Sequence, residues 1–425
     1  MKNTTRQHAI QIFRAGIAAA NPYDAVKKYF VLNDNFTKIH IIAFGKAACA
    51  MANAAQELIP LNLLGKTLAV TNYENVVEVK NVEVLGASHP LPDLAGFEAA
   101  KRIFEIAKNA KADELVLLLI SGGGSALIPY PVESVTLSEK IATTNLLLSC
   151  GATIHEINCV RKHLSQLKGG NLAKLISPAT GYALILSDVL DDDLSVIASG
   201  TTVADESTFA DAVTILKTKK IWESVPKSVQ IYLEKAISET PKSIENVENR
   251  LIGSNSISVE AAIVMAKSLN YDVIRYDYPL CGEARHVAET WVLNIKNNFF
   301  ENKKIAFITG GETTVTLRGN GKGGRNQEMA LAFAIAAEKY NLKADWVFLS
   351  GGTDGIDGVS PAAGGIVDND SLQRMKKANI NPTDLLENND SYAALKSSND
   401  LLLTGATGTN VADLQILLIQ TGKNS

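Results

Sequence analysis

Short apolar runs recur along the first half of the chain, separated by stretches with helical spacing. Lys38–Phe44, Thr67–Val70, Val82–Leu85, Glu114–Ile120 and Tyr182–Leu186 are largely unbroken hydrophobic segments. A strand with one wet face alternates polar and apolar positions, so continuous runs predict strands buried on both faces, as in a parallel sheet covered by helices. Between them, Ile10, Phe13, Ile17 and Ala20 recur at helical spacing, Asn21-Pro22 opens a second helix, and Ala-rich segments reach Leu58 and Ala110. This alternation predicts a doubly wound parallel sheet. The polar stretch Thr218–Glu248, with Pro226 and Pro241, reads as the passage to a second α/β domain. That domain opens on Arg250–Asn255, continues through a helix to Leu269 and the strand Tyr271–Arg275, and ends in two strands within 400–419. The boundary is placed near residue 240, giving domains 1–240 and 241–425.

A chain of 425 residues exceeds one comfortable hydrophobic core, which agrees with two domains. The net charge of −4 offers no broad attraction to nucleic acid or to an anionic membrane, so anion binding has to come from local groups. A small-molecule ligand is expected, with no nucleic-acid or membrane partner. The four cysteines, Cys49, Cys150, Cys159 and Cys281, lack Cys-x-x-Cys spacing, which suits reduced thiols and speaks against zinc. The first residues lead into an amphipathic helix rather than a signal-peptide core, and a cytoplasmic location is expected.

The chemistry gathers where strands end. After Glu114–Ile120 comes Ser121-Gly122-Gly123-Gly124-Ser125, where missing side chains leave backbone N–H groups free to meet phosphate oxygens and the serines add donors. A plain tight turn is the alternative for this loop alone. Two companions strengthen the ligand reading: Thr309-Gly310-Gly311-Glu312 after the run 304–308, and Ser350-Gly351-Gly352-Thr353-Asp354 after 346–349. Three strand-then-glycine loops suggest one composite site. Lys46 follows the first strand, Ser88–Asp93 the third, and Ser187-Asp188-Val-Leu-Asp191-Asp192-Asp193 the run 182–186. Carboxylates crowded at one strand end call for a cation, and Mg²⁺ is the natural one, with Asp188 and Asp193 as ligands. Helix caps and solvated turns are the alternative for Asp191 and Asp192. His155 and His163 read as structural, whereas Arg161 and Lys168 are anion-site candidates by composition. The glycine-rich segment 317–324 precedes a helix, so Arg325 lies near its N-terminus, and the loop reads as a mobile lid.

Taken together, Phe44-Gly-Lys46-Ala, His89-Pro-Leu-Pro-Asp93, Ser121–Ala126, His155-Glu-Ile-Asn158 with Arg161–Ser165, Lys168-Gly-Gly, Ser187-Asp188, Gly310-Gly-Glu312, Gly323–Glu328, Thr353–Gly358 and Thr409-Asn410 form ordered blocks. In them the chain resembles the glycerate 2-kinases of the MOFRL-containing family, whose members also carry the name hydroxypyruvate reductase. The resemblance runs from about residue 6 to the last strand. It implies an N-terminal Rossmann-like domain, a C-terminal α/β domain, and ATP- and Mg²⁺-dependent phosphorylation of D-glycerate at its C2 hydroxyl to 2-phosphoglycerate. It also marks Lys46 and Arg325 as catalytic. Two departures stand out: Leu190-Asp191 replaces the family's Pro-Gly, and Thr201 replaces a proline.

The residues fit phosphoryl transfer: glycine loops for the nucleotide, Asp188 for the metal or the substrate hydroxyl, and Lys46 with Arg325 to offset phosphoryl charge. An NAD(P)-dependent hydroxypyruvate reductase should show Gly-x-Gly-x-x-Gly after its first strand, where Phe44–Cys49 offers one glycine. A non-catalytic nucleotide or sugar-acid binding protein is the third reading. Because Lys46 and Arg325 fall in different domains, the site is expected in an interdomain cleft. Oligomeric state, monomer or homodimer, is left open.

Overall fold

The five early apolar runs pair side by side. In the computed structural model, which describes residues 2–32, 36–296 and 304–420, they form β1 (Lys38–Phe44), β2 (Leu64–Asn72), β3 (Glu83–Ala87), β4 (Glu114–Ile120) and β5 (Thr180–Leu186). These are parallel in the order β3-β2-β1-β4-β5. Every residue of β4 is buried. Val116, Leu118 and Ile120 enter the core on one face, and Leu115, Leu117 and Leu119 the core on the other, because successive side chains of a strand point to opposite faces. Helices cover both faces, and the expected doubly wound sheet is borne out. Its strand order reverses between β1 and β4, which is where open α/β sheets bind ligands beyond the strands' carboxyl ends.

A sixth strand, β6 (Val247–Gly253), adds beside β5. The sequence reading assigns this segment to the second domain; the structure places it in the first sheet, where Gly181 N donates to Asn246 O at 2.8 Å. A strand's apolar pattern states that it needs a sheet, not which one. The chain accordingly divides into the units Pro22–Ile252 and Met1–Asn21 with Gly253–Ser425.

The second unit contains β7 (Asp272–Arg275), β8 (Leu280–Glu283), β9 (Lys304–Thr314), β10 (Asp345–Gly352), β11 (Gly364–Asp368), β12 (Leu401–Leu402) and β13 (Asp413–Gln420). Its sheet is mixed, in the order β12-β11-β10-β13-β9-β7 with β8 also on β9. One face packs on the helices Ala284–Ile295 and Arg325–Lys339 through Trp291, Phe333 and Phe348. The other takes the N-terminal helix Lys2–Ala19, whose Ala9, Ile12 and Phe13 lie against Val259, Leu349 and Leu414. Arg6 ties this helix to Asp368 and Asp400 at 2.5 and 3.0 Å. Residues 1–21 thus pack on the second sheet, although sequence order groups them with 1–240. An apolar helical stripe demands a partner without naming it. Among the described residues no helix is long and apolar enough to cross a membrane.

Two of the three expected glycine loops are not loops. Gly310 and Gly311 lie inside β9, paired with Leu414 and Asp413 of β13, and Gly351 and Gly352 close β10. Their smallness serves backbone proximity. A methyl on Gly311 would overlap the backbone of Leu280 in β8, and one on Gly310 would overlap Asn255, whose amide bonds Val411 O and Asp413 O. The expected lid is also held down. Residues 318–322 bond to Asn388, Asn389 and Asp390 through backbone N–H groups, and methyls on Gly319, Gly321 or Gly323 would strike the 388–391 segment. These glycines allow close docking rather than motion.

Candidate active site

The turn after β1 is locked to the turn after β4. Lys46 N donates to Gly122 O at 2.9 Å, and Ala47 N to Ser121 Oγ at 3.0 Å. Gly45 has φ +119°, and a side chain there would overlap Ser121, so only glycine permits this junction. The amides of Gly122, Gly123, Gly124 and Ser125 take no protein acceptor among the described residues. They remain available to an anion, as the sequence suggests for this loop.

Three charged or titratable groups from three other strand ends meet the loop. A methyl on Gly122 would overlap the Asp188 carboxylate, and one on Gly123 would come 3.1 Å from His89 Cδ2 and 3.4 Å from Lys46 Cγ. Asp188 keeps an exposed face. The protein around it raises its carboxyl pKa by desolvation, opposed by its own backbone amide and by the charges of Lys46 and His89. His89 is shifted down, first by burial and then by Lys46, with Asp188 and Glu74 acting against. The sequence reading locates Lys46, Asp188 and the loop; it quotes His89 only within a motif. Its place at the end of β3 was the signal that could have found it. Ser125 Oγ lies 2.7 Å from Ser199 Oγ, which belongs to a segment where Ala198, Ser199 and Gly200 all have positive φ.

Asp193, the other carboxylate expected for the metal, is engaged within its own turn. Its two oxygens accept from Ser195 N at 2.8 Å and Ser195 Oγ at 3.0 Å, which makes it a turn-forming residue. No group of three or more His, Cys, Asp or Glu able to hold a metal occurs among the described residues.

The second unit gathers its own cluster around Arg325, the first residue of the helix Arg325–Lys339. Its Nε and Nη2 donate to Asp413 at 2.6 and 3.0 Å, and Nη1 to Glu312 at 2.7 Å. Asp413 is fully buried; sequence reasoning passed over it because it sits in an ordinary strand. Asp354 lies nearby, its Oδ1 3.2 Å from a methyl built on Gly352, with Asp413 Oδ1 at 3.6 Å from the same point. The helix start is not the bare positive end expected from sequence, because Asp357 accepts from Asn326 N at 3.1 Å and Gln327 N at 2.8 Å. Burial lifts the Asp357 pKa to about 6, helped by Asp413 and opposed by these donors. Arg325 is a paired guanidinium whose carboxylates orient it.

An open parallel sheet with lysine, histidine and aspartate gathered on an anion-receptive loop at its switch point defines an α/β site for a small anionic ligand. Residues 8–234 match the family described as a domain of unknown function, DUF4147, and residues 305–413 the MOFRL family. The glycerate 2-kinase of Pyrococcus horikoshii is 41% identical over 436 residues, covering 97% of this chain and 97% of that protein. An Agrobacterium vitis protein bearing a hydroxypyruvate reductase name is 41% identical over 424 residues, 98% of this chain and 95% of its own length. The crystal structure of a glycerate kinase from Thermotoga maritima superposes with a TM-score of 0.91 at 40% identity, covering 98% of this chain and 100% of that one. The chain belongs to the MOFRL-containing glycerate 2-kinase family.

Proposed function

We propose that this chain transfers the γ-phosphoryl group of ATP to the C2 hydroxyl of D-glycerate, giving 2-phosphoglycerate and ADP. The observation that carries the reading is the grouping of Lys46, His89 and Asp188 against a loop with open amides; the names of the relatives supply the reaction class. The loop amides receive phosphate oxygens, and the Lys46 ammonium offsets charge on the transferring group. Asp188 accepts the hydrogen bond of the C2 hydroxyl. As that oxygen bonds to phosphorus and the bond from phosphorus to the β,γ-bridging oxygen breaks, the hydroxyl proton passes to the Asp188 carboxylate and ADP leaves. Arg325, oriented by Asp413 and Glu312, is assigned to the same reaction on the family resemblance.

Magnesium fits in a restricted way. The described residues form no dedicated cage, but Mg²⁺ keeps several waters and commonly takes one or two carboxylates together with phosphate oxygens. Asp188 would be the carboxylate to hold it, its other oxygen left for the hydroxyl. When bound, the ion supplies neutralisation of the nucleotide phosphates.

The reductase reading is weakened at the same turn. A dinucleotide pyrophosphate needs free amides where the first strand enters its helix, and here Lys46 N and Ala47 N are already bonded to Gly122 O and Ser121 Oγ. The test is a coupled assay with D-glycerate, ATP and Mg²⁺, resolving 2- from 3-phosphoglycerate by phosphorus NMR. Formation of 3-phosphoglycerate, or NADH-dependent reduction of hydroxypyruvate without ADP release, overturns the proposal.

A further inference from the structure

Beside the glycine loop lies a cavity of about 320 Å³ that Gly123, Ser125 and His89 border. Three cations from three segments also line it: Lys140 on the helix Leu137–Ser149, Arg161 on the helix Ile154–His163, and Lys168 in the turn that follows. Lys168 is 1% exposed and Lys140 6%. Among the described residues neither meets a carboxylate. Lys168 Nζ donates to Ile128 O at 3.2 Å and Lys140 Nζ to Leu164 O at 2.9 Å, both neutral carbonyls. Among the described residues no aspartate or glutamate lines the cavity. The neighbouring Lys162 shows what the fold does for a buried lysine of structural purpose: it pairs with Asp205 at 3.1 Å.

Three cations facing one cavity with no carboxylate partner among the described residues, two of them buried, oppose folding. Burial drives the Lys168 pKa down to about 7, with the Arg161 charge adding to the effect. Lys140 falls well below its ordinary value through burial and then through Lys168 and Arg161, and Arg161 is lowered by burial. Such an arrangement is costly unless an anion completes it. We infer that this cavity seats the carboxylate of the acceptor hydroxy acid, with Arg161 and Lys168 as its principal partners and Lys140 as the third charge. The inference deepens the proposed function and rests on it for the identity of the acid.

The chemistry favours a carboxylate over the nucleotide's phosphates. A triphosphate with its metal brings several charges and a hydration shell, whereas the remaining walls here include Pro90, Leu91, Ile141 and Leu148. A single planar anion matches the guanidinium fork of Arg161 and needs little water. The cavity borders His89 and Gly123, and a methyl on Gly123 would come 3.4 Å from Lys46 Cγ, so the seat adjoins the same loop that Lys46 meets.

Calorimetric binding separates the possibilities, because it needs no turnover. D-Glycerate is titrated into wild-type protein and the variants Arg161→Gln, Arg161→Lys and Lys168→Met, and a non-hydrolysable ATP analogue with Mg²⁺ is titrated in parallel. Loss of a charge-assisted bond should weaken D-glycerate about 10- to 100-fold in Arg161→Gln and Lys168→Met, with Arg161→Lys intermediate. Nucleotide affinity should stay within about threefold of wild type. Glycerol, which lacks the carboxylate, should bind none of the proteins measurably. Unchanged D-glycerate affinity in both Arg161→Gln and Lys168→Met overturns the inference, as does a fall in nucleotide affinity in its place. If wild type fails to phosphorylate D-glycerate yet binds glycolate or lactate in an Arg161-dependent way, the proposed function fails while the carboxylate seat stands. If no small carboxylate binds, the seat fails too.

Discussion

Replacing Lys168 by methionine should make the protein more stable, and more so in acid than in alkali. Methionine keeps an unbranched stem of similar length and removes the charge, so the space beside Ile128 stays filled. In the folded chain Lys168 titrates at about 7, against an ordinary lysine value of 10.5. Between these limits the unfolded chain binds more protons than the folded one, so stability rises with pH there; below about pH 7 the penalty is complete. At roughly 1.4 kcal/mol per pH unit the full penalty is about 5 kcal/mol. By pH 9 the wild type has recovered about 2.5 kcal/mol of it through deprotonation. The methionine variant carries no such dependence at this position. The gap in unfolding free energy between Lys168→Met and wild type should therefore be about 2–3 kcal/mol larger at pH 6 than at pH 9. Lys140 and Arg161 also face the cavity, and relief of their repulsion adds to the effect at low pH. Urea unfolding followed by far-ultraviolet circular dichroism, at pH 6 and pH 9 without anions in the buffer, measures the gap. A difference that does not change with pH, or a variant destabilised at both values, would refute the reasoning that Lys168 is buried as an unpaired cation.

Three further outcomes follow from the site. Lys46→Ala should lower kcat/KM about 10³-fold, close to 4 kcal/mol of transition-state stabilisation, with an unchanged dichroism spectrum; activity near wild type would remove Lys46 from catalysis. Asp188→Asn keeps the shape of the side chain and removes the proton acceptor, so kcat should fall about 10²- to 10⁴-fold while the variant still binds D-glycerate; wild-type turnover with the same Mg²⁺ dependence would make Asp188 structural. Arg325→Lys cannot bond Asp413 at two points and Glu312 at a third as arginine does. It should lower thermal stability by about 1–3 kcal/mol, because a buried carboxylate loses part of its partner, and it should lower kcat more than nucleotide affinity. An undiminished melting temperature would show that the Asp413 pairing is not needed.

Some of this protein was legible in its residues. Unbroken apolar runs such as Leu115–Ile120 can be buried on both faces only within a covered parallel sheet, so the doubly wound first unit follows from pattern alone. The groups that follow such strands stand at the sheet's carboxyl edge. Lys46, the 121–125 loop and Asp188 follow β1, β4 and β5 in this way. The glycines misled where they stood inside strands: Gly310 and Gly351 spell the same pattern as a loop, and what distinguishes them is the pairing of their backbones with β13.

What tertiary structure alone decided is every pairing between segments far apart in the chain. Periodicity specifies how a helix or strand faces its surroundings, but carries no address for the partner, so Lys2–Ala19 and β6 could be recognised as elements and not assigned to sheets. Charge works the same way. The chain marks Lys168 as an anion-site candidate and does not single out Lys140 or Lys162, and only the fold gives Lys162 an aspartate while leaving Lys140 and Lys168 with neutral carbonyls beside a cavity. A side chain's type is set by sequence, whereas its desolvation and its counter-ion depend on which distant groups folding brings to it.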